Sequence, residues 1–346
     1  MDLLSPLYIA FGFVMRLLYS VFGNYGVAVI LFTILLRFLL MPLGVKQSRN
    51  TLKQQALSGE LAELQRQYGK DREKMAQAQQ ELYKRHGFSP FSGCLQSILQ
   101  LFIIWPVYRI ISAPLVHIMQ VGKDALAVTE KIDGKDQVTG GIAKVLLDLG
   151  LIDERIALQA RDFNIPIINT LREGGADLMA KVSDFIQPDQ LISLDFFGMN
   201  LGQIPSYQFL DVFGAKSAMY LPLLMIPLLS VITTWLSMKI SMMTMPNRKQ
   251  QEEEKERAKR NPAREAQQTK DPTAGMTQGM QYFMPLFTLF IAFTTPAALG
   301  LYWIISNIMS MVQAYLMYRF ITKPHLADQA RLALEARLAA ESAIAA

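Results

Sequence analysis

The chain has 346 residues, of which 51% are hydrophobic and only 18% charged, with a formal net charge of +5 and a positive mean hydropathy. Soluble domains carry nearer 25% charged residues; here the charges crowd into a few segments, and the long stretches between them exclude an ordinary soluble domain. A single cysteine, Cys94, excludes an internal disulfide. The three histidines (His86, His117, His325) lack metal-ligand spacing, and there is no phosphate-binding glycine loop, nucleophile elbow or zinc motif. A hydrolytic enzyme is therefore unsupported, and no metal or cofactor is expected.

Residues 1–23 are apolar but lack a basic start and a small-residue cleavage site, and Arg16 interrupts them. They read as an external amphipathic helix lying at the membrane interface rather than a signal peptide. Five later runs approach the length of about 20 apolar residues that crosses a bilayer. These are 24–44, 91–115 (with Pro106 inside), 218–239 (with Pro222 and Pro227 near its start), 280–296 and 299–320. Pro296 and Gly300 mark the turn that joins the last two into a hairpin. The fold class expected is an all-α integral membrane protein, a bundle of five transmembrane helices.

Basic residues orient the bundle. Residues 46–90 hold nine Lys/Arg against five Asp/Glu, and 239–279 hold nine against six. Residues 117–217 hold nine against fourteen. Basic loops stay in the cytoplasm, so 45–90 and 240–279 are predicted cytoplasmic and the insertion 116–217 external. The N-terminus is then outside, and the tail 321–346 is inside.

The loop 45–90 has apolar residues at helical spacing: Leu52, Leu57, Leu61 and Leu64, then Met75, Ala78, Leu82 and Tyr83 after a break at Gly69–Lys70–Asp71. Two amphipathic helices joined by a tight turn would bury these stripes against each other, giving a cytoplasmic helical hairpin. Residues 249–275 are charged and broken by proline, as in a flexible linker. The external insertion reads as small and partly ordered, with helical patches at Ile142–Leu149 and Ile165–Val182 and a β-prone run, LISLDFFGMNLG. The tail Ala327–Ala346 is alanine-rich and helical in pattern. Its few basic residues argue against a strong electrostatic grip on ribosomal RNA.

Arg37 is the exceptional residue. It lies about seven residues from the cytoplasmic end of the first span, or about 10 Å inside the apolar zone. An arginine at mid-helix costs about 2.5–3.5 kcal/mol. Either it snorkels to the interface on its long stem, or it faces a wet cavity. With the predicted orientation, other polar residues fall at similar depth. Thr33 is four residues before Arg37 on the same helix face. Gln96 and Gln100, Thr233, Thr234 and Ser237, and Trp303, Ser306, Asn307 and Gln313 all fall in the middle or inner parts of their spans. Any one of these alone is ordinary helix–helix glue. A skew on four helices implies a hydrophilic groove open to the cytoplasm and sealed toward the outside. The 19 methionines, with a cluster at Met238, Met242, Met243 and Met245, are either apolar filling or a surface that adapts to varied sequences.

Three stretches carry a resemblance: NYGVAVILFTILLRFLLMPL, ELYKRHGFSPFSGCLQSILQLFIIWPVYRI and MPLFTLFIAFTTPAALGLYWIISNIMSMVQ. In their order and spacing they resemble the YidC/Oxa/Alb-type membrane protein insertases, in the bacterial branch, over roughly 20–115 and 217–322. The resemblance implies a multi-pass protein of the bacterial plasma membrane. Its five-helix core would hold a groove in which Arg37 attracts acidic or polar parts of an incoming chain. It places Thr33 and Trp303 at positions that contact nascent chains, with Gln96, Gln100, Thr234, Ser237 and Asn307 completing the groove lining read above. It makes nascent membrane proteins and the bilayer the partners, with the ribosome and the Sec translocon as further candidates and no DNA. The chain departs from the pattern in three places. Ser237 stands where members often carry glutamine, no cysteine lies near the start, and the external insertion is longer than expected. Two rivals remain: a transporter using Arg37 as an anion site, which should have inverted repeats or broken half-helices, and an assembly factor whose groove only shields subunits.

Overall fold

The computed structural model describes residues 4–68, 71–87, 95–244 and 283–345. It is mostly helical and divides into two compact units. One comprises Met1–Leu36, Gln100–Ile232 and Leu286–Ser306; the other comprises Arg37–Leu99, Thr233–Pro285 and Asn307–Ala346.

The first unit starts with the helix Ser5–Phe22, which stops at Gly23 in the left-handed conformation (φ 62°), where a residue without Cβ is unstrained. The Asn24 side chain then accepts from the Val27 N–H at 3.0 Å, which caps the next helix, Tyr25–Ala56. That helix buries Tyr25, Ala28, Val29, Phe32, Thr33 and Leu36, the spacing of a single helical stripe. The Tyr25 hydroxyl donates to the Ile111 carbonyl at 3.2 Å, at the end of the helix Leu95–Ser112. The third apolar run is broken at Leu224 into Ser217–Leu223 and Met225–Met243. The cause is Pro227, which has no N–H to give the Leu223 carbonyl.

Gly300 does not belong to the turn between the last two apolar runs, where the sequence pattern placed it. The turn occupies Phe293–Pro296, and Gly300 lies inside the helix Ala297–Met317. It is buried against the third apolar run, where a Cβ would collide with the Ile226 side chain. The Ser230 hydroxyl donates to the Gly300 carbonyl at 3.3 Å. Gly300→Val is expected to destabilise the fold by about 1–3 kcal/mol through overpacking. Thermal unfolding in detergent would detect it as a lower midpoint, and an unchanged midpoint would rule the close packing out.

The insertion is better ordered than expected. Leu126, Ile142, Leu146, Ile165, Ile167, Ile168, Leu171, Val182, Ile192, Leu194 and Leu201 form a buried apolar core. Helices Ile142–Asp148 and Ile165–Lys181 match the two helical patches, the second bent at Gly175 (φ 60°, ψ −152°). The β-prone run forms a short antiparallel ribbon, Asp195–Phe196 with Met199–Asn200. A second ribbon, Val128–Ile132 with Lys135–Gly140, was not anticipated. Its signal was present in the Asp133–Gly134 turn, where both residues have positive φ (51° and 78°), the geometry that Asp-Gly hairpins favour. Two small ribbons therefore qualify the all-α expectation.

In the second unit the helix begun at Tyr25 continues past the predicted span end, to Ala56, and a turn at Leu57 leads into Ser58–Tyr68. The second arm is Arg72–Arg85, capped by Asp71, whose carboxylate accepts from the Glu73 and Lys74 N–H groups at 3.2 and 3.1 Å. Leu52, Leu57 and Leu82 are buried, and Leu61, Leu64, Met75, Ala78 and Tyr83 are half-buried. These are the residues of the predicted stripes. His86 Nε2 lies 3.5 Å from the Glu60 carboxylate, across the two arms. At the other end of the unit, a π-helical turn at Tyr318–Thr322 leads into the exposed tail helix Lys323–Ala345. The expected charged loop at 240–279 lies outside the described residues beyond 244, as does Cys94.

Among the described residues, four helices are long and apolar enough to cross a membrane: Ser5–Phe22, Tyr25–Asn50, Ser217–Met243 and Ala297–Ser342. Three of these overlap the expected spans 24–44, 218–239 and 299–320. The predicted spans at 91–115 and 280–296 are represented, among the described residues, by the shorter apolar helices Phe102–Ser112 and Phe283–Ala292. Ser5–Phe22, expected at the interface, passes the same length and composition criteria.

Candidate functional site

Thr33 and Arg37 sit one turn apart on Tyr25–Ala56. Thr33 is fully buried, and its hydroxyl donates to the Val29 carbonyl one turn earlier at 2.7 Å. The hydroxyl is thereby satisfied within its own helix. Arg37 is half-buried. Its neighbours Leu35, Phe38 and Leu39 are 50%, 57% and 74% exposed, whereas Leu36 is 6% exposed. Successive residues turn by about 100° around a helix, so Arg37 stands at the edge of the buried stripe, on the side of Thr33 and away from the apolar face.

Among the predicted groove residues, the structure joins Asn307 and Thr234. The Asn307 amide donates to the Thr234 hydroxyl at 2.9 Å and to that of Thr233 at 3.2 Å. Thr234 is buried, whereas Asn307 and Ser237 are half-buried. One amide with two neighbouring hydroxyls makes a polar clasp between two apolar helices, of the kind worth about 0.6–1.7 kcal/mol in a membrane. In the same unit, a Cβ at Gly44 would overlap the Gln313 side chain, so glycine is what lets that amide lie against the helix backbone. Depth within its span singles out Gln313 but not its glycine partner. Trp303 is half-buried on Ala297–Met317, and Ser306 is buried one turn before Ser310. The side chains of Gln96 and Gln100 lie outside the described residues.

Polarity is therefore not confined to amides and the guanidinium. Ser230, Thr288 and Ser306 are buried hydroxyls as well. A hydroxyl is a weaker sequence signal, because it can be spent on its own helix, as Thr33 is. Among the described residues, no cluster of His, Cys, Asp or Glu is placed to hold a metal ion.

Comparison with known proteins gives the chain its relatives. The protein named membrane protein insertase YidC of Caldanaerobacter subterraneus subsp. tengcongensis is 35% identical over 100 residues, 29% of this chain and 48% of that protein. The protein of the same name from Clostridium perfringens is 37% identical over 100 residues, 29% of this chain and 42% of that protein. That of Shewanella sp. strain W3-18-1 is 44% identical over 92 residues, 27% of this chain and 17% of that protein. The match thus spans less than half the length of each of these relatives. A family model described as the 60Kd inner membrane protein matches residues 17–324. That match takes in most of the chain, from the first helix to the start of the tail helix, and the chain belongs to the 60Kd inner membrane protein family.

Proposed function

We propose that this protein is a membrane protein insertase and chaperone. It receives hydrophobic segments of nascent proteins in a hydrophilic groove and releases them sideways into lipid without nucleotide hydrolysis. The observation that carries this reading is the family match over residues 17–324, and the relatives' names agree with it. The depth of Arg37 and the amide–hydroxyl clasp at Asn307 support the groove.

In this reading the spans are 24–44, 91–115, 218–239, 280–296 and 299–320, with the N-terminus outside and the C-terminus in the cytoplasm. The hairpin 45–90 and the charged loop 240–279 meet arriving chains, and the ribosome and Sec translocon are candidate partners on that side. Thr33, Arg37, Gln96, Gln100, Thr234, Ser237, Trp303 and Asn307 line the path. The work comes from partitioning, because apolar surface leaving water gains about 25 cal/mol per Å². The polar flank of the substrate is the barrier. Arg37 and the amides shorten the apolar distance that flank must cross and offer it transient partners.

The test is reconstitution of the full chain into liposomes with a small single-span substrate. Protease protection of its translocated end should rise well above that in empty liposomes. Protection equal to that in empty liposomes would overturn the insertase reading in favour of an assembly factor.

A further inference from the structure

The helix Ser5–Phe22 carries an arginine for which the described residues provide no acid. Arg16 lies with its guanidinium 5.7 Å from the centre of the Phe13 ring, and among the described residues no carboxylate pairs with it. The helix is seated on the segment Pro114–His117, at the end of the second predicted span. A Cβ at Gly12 would stand 2.8 Å from the His117 carbonyl oxygen, so glycine permits the contact. On the same side, the Tyr8 ring lies 6.0 Å from the His117 imidazole. Beside this seat is a cleft of about 490 Å³ whose lining includes Tyr8, Phe13, Arg16, Val116, His117 and Gln120. Its size is within the range of about 300–1,000 Å³ typical of small-molecule sites.

The lining is divided by chemistry. Tyr8, Arg16, His117 and Gln120 line the cleft beside the apolar Ile9, Ala10, Phe13 and Val116. Burial, with Arg109 and Lys123 adding to it, pushes the His117 pKa down to about 4, so the imidazole is a neutral hydrogen-bonding group and Arg16 is the cation of the lining. Gln120 holds φ at +59°, a conformation that costs free energy in a residue with a side chain and tends to recur at ligand clamps. Along the same helix run Ile9, Phe13, Leu17 and Val21, exposed by 73%, 56%, 53% and 67% at successive turns. An unbroken exposed apolar stripe beside an unpaired guanidinium is the pattern of a surface that meets lipid. The ligand must then be amphiphilic, with an anionic head for Arg16 and a hydrocarbon body for the stripe.

We propose that this cleft binds an anionic phospholipid of the outer leaflet, with the phosphodiester on Arg16 and the acyl chains along Ile9, Phe13 and Leu17. Tyr8 and Gln120 supply hydrogen bonds to the head, and a guanidinium matches phosphate in geometry as well as charge. The site anchors the first helix to its leaflet. The choice of leaflet rests on the topology proposed above, but the binding chemistry does not.

The experiment is native mass spectrometry of the full chain in mild detergent. Phosphatidylglycerol, phosphatidylcholine or soluble glycerol 3-phosphate is supplied at equal concentration. Wild type should retain one phosphatidylglycerol per chain, about tenfold more than phosphatidylcholine, and no glycerol 3-phosphate. Arg16→Gln should reduce that retention about tenfold, and Arg16→Lys should keep a large part of it. Equal retention of the two lipids by wild type would overturn the proposal, and that comparison needs no variant to fold. Retention of glycerol 3-phosphate would overturn the lipid in favour of a soluble phosphate ligand. Equal retention of phosphatidylglycerol by wild type and a stably folded Arg16→Gln would remove the arginine from the site. None of these outcomes depends on insertion of a substrate, so failure here is distinct from failure of the insertase reading.

Discussion

Replacing Arg37 with alanine is expected to lower insertion of a single-span substrate into liposomes by about tenfold or more. The figure follows from the worth of a charge-assisted hydrogen bond, about 1.5–3 kcal/mol, taken at 1.4 kcal/mol per tenfold. The loss should be larger for a substrate with an acidic external flank than for one with a short uncharged flank, because the acidic flank uses the charge as well as the donors. Arg37→Lys should recover part of the activity, since it keeps the charge but not the planar fork. A membrane potential adds a second signature. It favours outward movement of acidic flanks by about 2.3 kcal/mol per charge per 100 mV, so an imposed potential should partly compensate for the missing arginine with acidic substrates only. Equal insertion by wild type and Arg37→Ala would reduce Arg37 to a snorkelling residue.

The sequence is most readable where one physical demand acts alone. Apolar runs found the long helices, because satisfying the backbone in lipid leaves few alternatives to a helix. The stripes from Leu52 to Tyr83 found the paired arms, because burial at helical spacing has one economical solution. Depth isolated Arg37, because an ion in an apolar run is expensive wherever it points. What the sequence concealed depends on contacts between distant segments. Nothing local places Gly300 in a helix, since glycine beside a proline turn reads as part of the turn. Its role becomes visible only with Ile226 packed on it. Asn307, Thr233 and Thr234 are polar residues on different helices, and only their proximity turns them into one clasp. The ribbon Val128–Gly140 was overlooked for a different reason. Its strands VTEKI and KDQVTG are mostly polar and exposed, so the apolar alternation that marks a half-buried strand is absent beside the Asp-Gly turn.

The insertion supplies the second large effect. Replacing residues 118–203 with a short glycine-serine linker is expected to destabilise the membrane helices themselves. At the start of the final long helix, the Ala297 N–H donates to the Gln203 carbonyl at 2.9 Å, and the Ala298 N–H to the Leu201 carbonyl at 2.8 Å. These are orphan donors of a helix N-terminus, capped from the insertion. Both alanines are essentially inaccessible, at 1% and 0% exposure, so in the intact chain the two carbonyls, and not water, satisfy them. At the end of the second span, the Leu115 N–H donates to the Asn164 side chain at 3.2 Å, the Asn164 N–H donates to the Ser112 carbonyl at 3.1 Å, and Arg109 pairs with Asp162 at 2.7 Å. At the first, Gly26 leaves room for the Phe196 ring, which a Cβ would overlap. A lost hydrogen bond costs about 0.5–1.5 kcal/mol where water replaces the partner and about 1–3 kcal/mol where the donor stays buried, so losing those of Ala297, Ala298 and Leu115 together with the apolar contacts around them amounts to several kcal/mol. The shortened chain should unfold in detergent at a clearly lower temperature than the full chain. Asn164→Leu, which removes one acceptor and keeps the rest, should give an intermediate value. An unchanged midpoint for the shortened chain would mean that the helices hold their own ends and that the insertion is only carried by them. A lowered midpoint in both, in that order, would make the insertion the cap of these helix ends. It would also account for a compact apolar core in a segment whose sequence promised only partial order, because a cap must be rigid to hold three helix ends at once.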